Sequence, residues 1–345
     1  MKKLFIALLI TVFATPQLMA DKGMWLLQLM RQQNLEDRMR AQGLEISVDE
    51  IYTPGAPSIK DAIGIFGGGC TGEVVSPNGL VLTNHHCGFS FIQQLSTVEH
   101  NYLHNGFWSQ SYEEELPCEN LAFTFVVKIQ DVTDTVNGLV KSGKITEEES
   151  FSRQALAKIG KELFAADNIE GKEHMYPQLL PYFEGNKYYL VYYKKYTDVR
   201  LVGTPPNSIG KFGGDTDNWV WPRHTGDYSI FRIYVSPDGK AVEYSEDNVP
   251  YKPNYHFPIS LKGAEKGDFT FVFGYPARTN EYLPAVAVHQ EANVIYPVSV
   301  DLRGKILDIY NKHQEKDPKV RIQYASTDER ETMSMENKKE KKNDK

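Results

Sequence analysis

The stretch that most constrains the fold is a short apolar run that ends in two histidines and a cysteine. Residues 79–87 read GLVLTNHHC, and the Asn-Gly step at 78–79 is a strong signal for a tight β-hairpin turn. A second cysteine, Cys70, lies in the strand predicted before that turn. The sequence therefore predicts a hairpin with one cysteine in its first strand and His86 beside Cys87 at the end of its second.

The first twenty residues have the composition of an export signal. Lys2 and Lys3 precede an apolar stretch at 4–13, and Ala20 is a small residue of the kind found at a signal-peptidase cleavage site. An uncleaved anchor is the alternative, but about ten apolar residues fall short of the roughly twenty that span a bilayer. We expect cleavage after Ala20 and a periplasmic or secreted protein without a membrane anchor.

Export to an oxidising compartment permits disulfide bonds. The chain has three cysteines, of which Cys70 and Cys87 can form one bridge. Cys118 is then left over, as a free thiol or as a residue whose partner is missing.

The charge of the chain argues against nucleic acid as a partner. The formal net charge is −7, and it becomes −9 when Lys2 and Lys3 leave with the signal. No basic stripe compensates for this acidic balance, and nucleic-acid binding depends on such a stripe.

Alternating apolar residues and turn signals predict many short strands, and thus a mainly β protein, either a barrel or a sandwich. The expected strands are near 69–75, from 80, and at 122–132, 228–235 and 269–273, with an aromatic-rich strand pair at 188–204. Helical periodicity is expected at 24–42, at 146–165 and from about 277. The domains predicted after the signal are a β-rich part at 21–276, the start of a helical domain at 277–325, and a disordered charged tail at 326–345.

His86 can act as a general base on a hydroxyl only if a buried carboxylate holds its far ring nitrogen. The best candidate is Asp227, which lies where a glycine-led turn enters an apolar strand. A structural turn cap is the alternative for Asp227, and an ordinary polar strand end is the alternative for His86. His85 would face the opposite side of a strand from His86, which favours a structural role for it.

Several long motifs resemble a known peptidase family. They are residues 67–73 (GGGCTGE), 82–88 (LTNHHCG), 105–108 (NGFW), 208–219 (SIGKFGGDTDNW), 221–227 (WPRHTGD) and 274–276 (GYP). Together they are similar to the bacterial family of dipeptidyl aminopeptidase BII and dipeptidyl-peptidases 7 and 11, over about residues 21–325. The resemblance implies a chymotrypsin-like double β-barrel interrupted by a large helical domain, and removal of dipeptides from the free N-terminus of peptides without a cofactor.

The resemblance also implies roles for individual residues. His86 would be the general base and Asp227 the carboxylate that orients it, while Asn218 and Trp219 would hold the substrate's α-amino group. An amide oxygen can accept a proton from an ammonium, and an indole can close the cleft and add a cation–π contact. Without the resemblance, Asn218 and Trp219 would be interpreted as a turn followed by a core aromatic residue.

The chain departs from the family pattern at the nucleophile. The expected Gly-x-Ser-Gly turn is absent from the sequence, and Ser208, in PNSIG, lacks the glycines that shape an oxyanion hole. Family members are also about twice as long, and the Glu/Lys-rich segment after Ser326 is what a frameshift or a premature stop would produce. We therefore expect an incomplete double barrel that is nearly inactive alone. The alternative function is that of a truncated fragment or pseudoenzyme that at most binds peptide N-termini, and a homodimer is left open.

A metal site is the remaining candidate for chemistry. His100 and His104 have the one-turn spacing of metallopeptidase helices, but Asn101 replaces the glutamate that would serve as base. No third ligand is evident, so we interpret both histidines as solvent-exposed and predict no metal.

Overall fold

The computed structural model describes residues 24–54, 56–214, 221–276 and 283–343. The predicted signal peptide at 1–20 lies outside the described residues. The chain divides into two compact units, Met1–Val48 and Asp49–Lys345. None of the described helices combines the length and the apolar character needed to cross a membrane.

The first unit contains a short 3₁₀ turn, Leu27–Leu29, and helix α1, Leu35–Ala41. Asn34 between them is in the left-handed conformation, with φ of 53°, and this interrupts the continuous helix predicted at 24–42. Gly43 follows the end of α1 with a positive φ of 113°, and glycine is common at this position after a helix.

The second unit is built on a sheet of eleven described strands, all paired antiparallel. The strands are β1 Ile63–Phe66, β2 Cys70–Val74, β3 Leu80–Thr83, β4 Phe107–Trp108, β5 Leu116–Pro117, β6 Phe123–Asp131, β7 Met175–Tyr182, β8 Lys187–Tyr196, β9 Val199–Thr204, β10 Ser229–Val235 and β11 Val249–Pro250. Their order is β4-β9-β10-β3-β2-β1-β6-β8-β7, with β5 beside β9 and β11 beside β10. The mainly β class is confirmed by this sheet.

Helices flank and follow the sheet. They are α2 Val48–Ile51, α3 His85–Leu95, α4 Tyr102–Asn105, α5 Thr133–Lys141, α6 Arg153–Ala166, α7 Asn207–Gly210, α8 Ala285–Gln290, α9 Tyr296–Gln314 and α10 Pro318–Asn343. Single 3₁₀ turns lie at Ile59–Ala62, Tyr112–Glu114, Glu149–Phe151 and Lys172–His174, and a π-helical turn, Glu291–Ile295, joins α8 to α9. Helix α6 lies largely within the range predicted at 146–165, between β6 and β7, and helices α8 to α10 lie in the helical segment predicted from about 277.

The predicted hairpin is formed by β2 and β3. Glu73 lies opposite Leu82, and Val74 lies opposite Val81. The turn needs its glycine, because Gly79 has a φ of 67° and a Cβ there would lie 2.9 Å from a backbone oxygen of Tyr251.

Two apolar clusters form the described core. One lies under β1, β2, β3, β9, β10 and α3, and it includes Phe66, Val74, Ile92, Phe123 and Phe231. The other lies between the β6–β8 part of the sheet and helices α5 and α6. A bulge in β6 between Val126 and Lys128 separates them, so Phe125 belongs to the first cluster while Val127 packs against the second. Strict alternation along a strand would place Phe123, Phe125 and Val127 on one face, and the bulge moves Val127 to the other cluster.

The apolar run at 269–273 is not the buried strand that the sequence predicts. It has no strand partner among the described residues, Phe271 is partly exposed, and Val272 is fully exposed. An apolar run becomes a strand of a sheet only where another strand lies beside it and completes its backbone hydrogen bonds.

The charged segment after Ser326 is helical in the structure, through Asn343, where disorder was expected. Its glutamates and lysines are good helix formers, and they bond to α9 through an Arg303–Glu331 ion pair and a 2.7 Å hydrogen bond from Lys338 Nζ to Ser299 Oγ. The composition of the segment alone does not show that it packs against a second helix.

Cys118 is buried in the first cluster and is not disulfide-bonded. Burial raises the pKa of its thiol to about 12. At pH 8 its thiolate fraction is then roughly a thousandfold lower than that of an exposed cysteine, so we expect a thiol reagent such as DTNB to react slowly with the native, oxidised protein.

Guanidinium unfolding should release one fast-reacting thiol per chain, and Cys118→Ala should remove it. Rapid stoichiometric reaction of the native protein would contradict the buried placement of Cys118.

Candidate active site

His86 lies in the first turn of α3, directly after the strand that the sequence predicted would carry it. Strand β3 ends at Thr83, and Asn84 is the extended residue before the helix. The His86 side chain is 37% exposed. The backbone of His86 is therefore held on both sides, by the sheet that precedes it and by the helical hydrogen bonds that follow it.

Asp227 lies next to His86 because of the sheet register. It precedes β10, and β10 pairs with β3 so that Ser229 lies opposite Thr83. The start of α3 and the segment before β10 therefore lie side by side, at the same end of two adjacent strands. His86 Nδ1 is 2.8 Å from Asp227 Oδ2, and the backbone N–H of His86 donates to Asp227 Oδ1 at 3.1 Å. The structure thus brings together the two residues that the sequence paired.

The carboxylate of Asp227 is 9% exposed and accepts two further hydrogen bonds. Asn84 Nδ2 donates to Oδ2 at 3.2 Å, and Arg223 Nη2 donates to the same oxygen at 3.3 Å. Burial alone would raise the pKa of Asp227, but the hydrogen bonds and charge of His86, with a smaller contribution from Arg223, hold it below its ordinary value. Asp227 is therefore an anion at neutral pH.

The second ring nitrogen of His86 has no hydrogen-bond partner among the described residues. Because Asp227 occupies Nδ1, Nε2 remains available to accept a proton from another group. His86 lines a pocket of about 550 Å³ between α3 and α10, to which Ser90, Glu329 and Arg330 also contribute. No serine in the described ranges hydrogen-bonds to His86, and Ser208 is an exposed residue of α7.

His85 is structural, as predicted, although both histidines lie on a helix and not on opposite faces of a strand. It is 1% exposed, and its Nδ1 lies 3.1 Å from Thr204 Oγ1. Burial lowers the pKa of His85, so its ring is neutral. The absence of a side chain at Gly210 makes room for this ring, since a Cβ there would lie 2.6 Å from it.

The predicted bridge between Cys70 and Cys87 is confirmed. It joins β2 to the first turn of α3, one residue after His86, across a sequence separation of 17. This bond ties the helix start to the hairpin on the side opposite to the contact with Asp227.

The candidate metal ligands do not form a site in the described residues. His100 lies in a bend and His104 lies in α4, both exposed, so the one-turn spacing on a single helix does not occur. His86 does lie close to the sulphurs of Cys70 and Cys87, but these form a disulfide and are not thiolate ligands.

The predicted substrate-binding residues Asn218 and Trp219 lie outside the described residues. Three residues that shape the site could not be singled out from the sequence. Asn84 and Arg223 donate hydrogen bonds to the Asp227 carboxylate, and Gly88 permits close packing of α3. The Asn directly before His85 was visible in the motif, but nothing in the sequence connected it to Asp227.

Gly88 allows α3 to approach β10 closely. A Cβ at this position would lie 2.7 Å from Ser229 Oγ and 3.0 Å from the ring of Phe231. Both neighbours follow Asp227 in the chain, so the spacing between α3 and β10 also sets the distance from His86 to Asp227.

We predict that Gly88→Ala lowers the free energy of unfolding by about 1–3 kcal/mol through this overpacking. The matched control is Gly138→Ala in α5, where a Cβ has open space. In the helix interior this control should be neutral or stabilising by about 0.5–1 kcal/mol.

Urea unfolding of the oxidised proteins measures both changes. Equal free energies of unfolding for Gly88→Ala and Gly138→Ala would show that the close packing of α3 on β10 does not contribute to stability.

Comparison with known proteins identifies the family of the chain. The Peptidase S46 family model matches residues 20–342. Dipeptidyl-peptidase 7 of Phocaeicola vulgatus is 52% identical over 325 residues, which cover 94% of this chain and 45% of that protein. An Asp/Glu-specific dipeptidyl-peptidase of Capnocytophaga gingivalis is 47% identical, over 88% of this chain and 42% of that protein.

A solved structure, Porphyromonas endodontalis DPP11 in complex with the dipeptide Arg-Asp, superposes with a TM-score of 0.85 at 39% identity. The match covers 93% of this chain and 46% of that one. This chain thus spans less than half the length of the curated relatives it matches.

The family match extends past Ser326, to residue 342. That extent gives no support to the expectation that the segment after Ser326 is an out-of-frame product. With a match over most of its length, the chain belongs to the Peptidase S46 family.

Proposed function

We propose that this chain supplies the general base and its orienting carboxylate to a serine-type dipeptidyl aminopeptidase. The observation that supports this most is the His86–Asp227 pair, with Nδ1 and Oδ2 2.8 Å apart and Nε2 without a described partner. Membership of a family whose relatives are named dipeptidyl-peptidases supports the reaction class.

In the proposed reaction, His86 Nε2 takes the proton of a serine hydroxyl as that oxygen attacks the scissile carbonyl. Asp227 keeps the neutral ring protonated on Nδ1, which leaves the Nε2 lone pair facing the nucleophile. The ionised carboxylate then stabilises the imidazolium that forms. His86 returns the proton to the leaving amine, and backbone amides stabilise the oxyanion.

The proposed fold context is a chymotrypsin-like double β-barrel. The sheet whose strands β3 and β10 position His86 and Asp227 would belong to the first part of that domain, and α8, α9 and α10 would belong to its inserted helical domain. The two residues lie at the same end of these adjacent strands, which is compatible with this arrangement.

The proposed nucleophile lies in sequence outside this chain. No described serine hydrogen-bonds to His86, and the Gly-x-Ser-Gly turn is absent from the sequence. The alternative is that the chain is a non-catalytic fragment or pseudoenzyme that at most binds peptide N-termini. The missing turn favours that alternative for the chain on its own.

The proposed substrate is a peptide with a free N-terminus, from which a dipeptide is released. The names of the relatives support this, and the DPP11 structures contain the dipeptides Arg-Glu and Arg-Asp. Asn218 and Trp219 would hold the α-ammonium group.

We predict that the chain alone does not hydrolyse fluorogenic dipeptidyl amides, and that co-expression with the C-terminal half of the Phocaeicola vulgatus dipeptidyl-peptidase 7 restores hydrolysis. In the restored enzyme, His86→Ala should lower turnover by up to roughly a millionfold, as loss of a triad member does in other serine peptidases. N-acetylated substrates should remain uncleaved, because they lack the ammonium group.

Ser90→Ala is the matched control, since Ser90 lines the same pocket as His86 and has no proposed catalytic role. Turnover by the chain alone that disappears in His86→Ala would place the nucleophile within this chain. A restored enzyme that His86→Ala leaves active would refute the proposed general base.

We also propose that the protein is exported to the periplasm or secreted, on the basis of the apolar N-terminal segment and the disulfide. Expression in a Gram-negative host should give a mature N-terminus at Asp21 in mass spectrometry of the periplasmic fraction. Retention of residues 1–20 on a cytoplasmic protein would contradict the proposal.

A further inference from the structure

A glutamine of α3 anchors the long helix α10 beside the candidate site. Gln93 lies two turns after His86, and this spacing puts both residues on one side of α3. Its Nε2 donates to the backbone oxygen of Gln323 at 2.9 Å, and its Oε1 accepts from the backbone N–H of Ser326 at 3.0 Å. Both ends of one amide thus hold the same stretch of α10 against α3.

The cavity of about 550 Å³ that His86 lines lies between these two helices. The residues of α10 that line it recur every three or four positions between Ser326 and Lys338, so one continuous side of that helix forms the wall. An ion pair from Lys211 to Glu329 fixes this wall a second time. The volume lies in the range of pockets that bind small ligands. The helices that form the cavity are therefore held together by specific contacts, and the candidate base belongs to its lining.

The charge that the lining leaves uncompensated is positive. Glu329 is the one acidic residue among the described residues that line the cavity, and Lys211 neutralises it. Lys338 hydrogen-bonds through Nζ to Ser299 Oγ of α9, which is a neutral group. Arg330 is exposed, and its guanidinium has no hydrogen bond or ion pair within the part of the chain that the structure describes. Arg330 is therefore a cation of the cavity wall whose charge is available to a ligand.

The proposed reaction places part of the substrate in this cavity. His86 Nε2 returns a proton to the leaving amine, so the residue that carries this amine must lie against the imidazole. The next residue of the substrate lies one Cα–Cα step of about 3.8 Å further on. Since His86 lines the α3 side of the cavity and Arg330 lines the α10 side, a peptide that crosses the cavity from His86 approaches the guanidinium.

We propose that the cavity between α3 and α10 binds the leaving side of the substrate, and that Arg330 selects a carboxylate on the second residue after the scissile bond. A guanidinium matches the geometry of a carboxylate, which an aspartate or glutamate side chain or the C-terminus of a leaving dipeptide can supply. The inference rests on the proposed function. Apart from His86, it assigns a contact with substrate to Arg330 alone.

The test measures binding of leaving-side peptides to the full chain by NMR, and it needs no turnover. The chain is labelled with ¹³C at its methionine methyl groups, and the signal of Met333, which lines the cavity, is identified by its loss in Met333→Leu. The probes are Ala-Glu amide, Ala-Gln with a free C-terminus, and Ala-Gln amide, which has no carboxylate. We expect a carboxylate to lower the Kd roughly two- to fivefold, as for an exposed ion pair. The first two probes distinguish a side-chain carboxylate from a terminal one.

Substitution of Arg330 should remove this preference. In Arg330→Gln the three dissociation constants should become equal, whereas Arg330→Lys keeps the charge and should retain most of the difference. Arg321→Gln is the matched control, because Arg321 is an exposed arginine of the same helix outside the cavity lining. This control should keep the native preference, and urea unfolding should confirm that every variant remains folded.

Equal dissociation constants for the three peptides in the native chain would overturn the proposal, and so would a carboxylate preference that Arg330→Gln leaves intact. A Met333 signal that no peptide moves at millimolar concentration would overturn the cavity as a binding site. Failure of the proposed function appears separately, as a restored enzyme without hydrolysis. A restored enzyme that depends on His86, together with no carboxylate preference, would overturn the role of Arg330 alone.

Discussion

The antiparallel pairing of β3 with β10 is the constraint on which the candidate site depends. It places Thr83 opposite Ser229, and so it brings the start of α3 beside the segment that ends in Asp227. His86 and Asp227 are 141 positions apart in the sequence. The register of two short strands brings their side chains within hydrogen-bond distance. A one-residue slip would turn every side chain of β10 to the other face, so the buried Phe231 and Ile233 fix the register and, with it, the site.

Two further features hold α3 in place once the strands are paired. The disulfide from Cys70 fixes the helix start to the hairpin, and Gly88 lets the next turn of the helix rest directly on Ser229 and Phe231. Ser229 Oγ also donates to the backbone oxygen of Asn84 at 2.9 Å. The backbone that carries the imidazole is therefore held by a covalent bond, by close packing and by a hydrogen bond. Such a site is preorganised, because little reorganisation remains for the moment of reaction.

Much of this could be predicted from sequence because the signals are local. The Asn-Gly step fixed the expected hairpin, alternation predicted β6 and β10, and the two close cysteines predicted their bridge. The failures have non-local causes. The bulge in β6 depends on its partner strand, and the run at 269–273 needs a neighbouring strand that the described residues do not provide. The helical state of residues 326–343 depends on contacts with α9 and with Lys211. Arg223 and Asn84 are ordinary polar residues until the fold places them on one carboxylate.

The charge balance at Asp227 connects the fold to the chemistry. A buried carboxylate that served only to raise the basicity of His86 would need no donor beyond the imidazole. Asp227 instead accepts four hydrogen bonds, two of them from groups outside the histidine. These donors offset the cost of burying an anion, and together they fix the orientation of the carboxylate that holds His86 Nδ1. The same hydrogen bonds that make burial of the carboxylate possible therefore also set the direction in which the imidazole points.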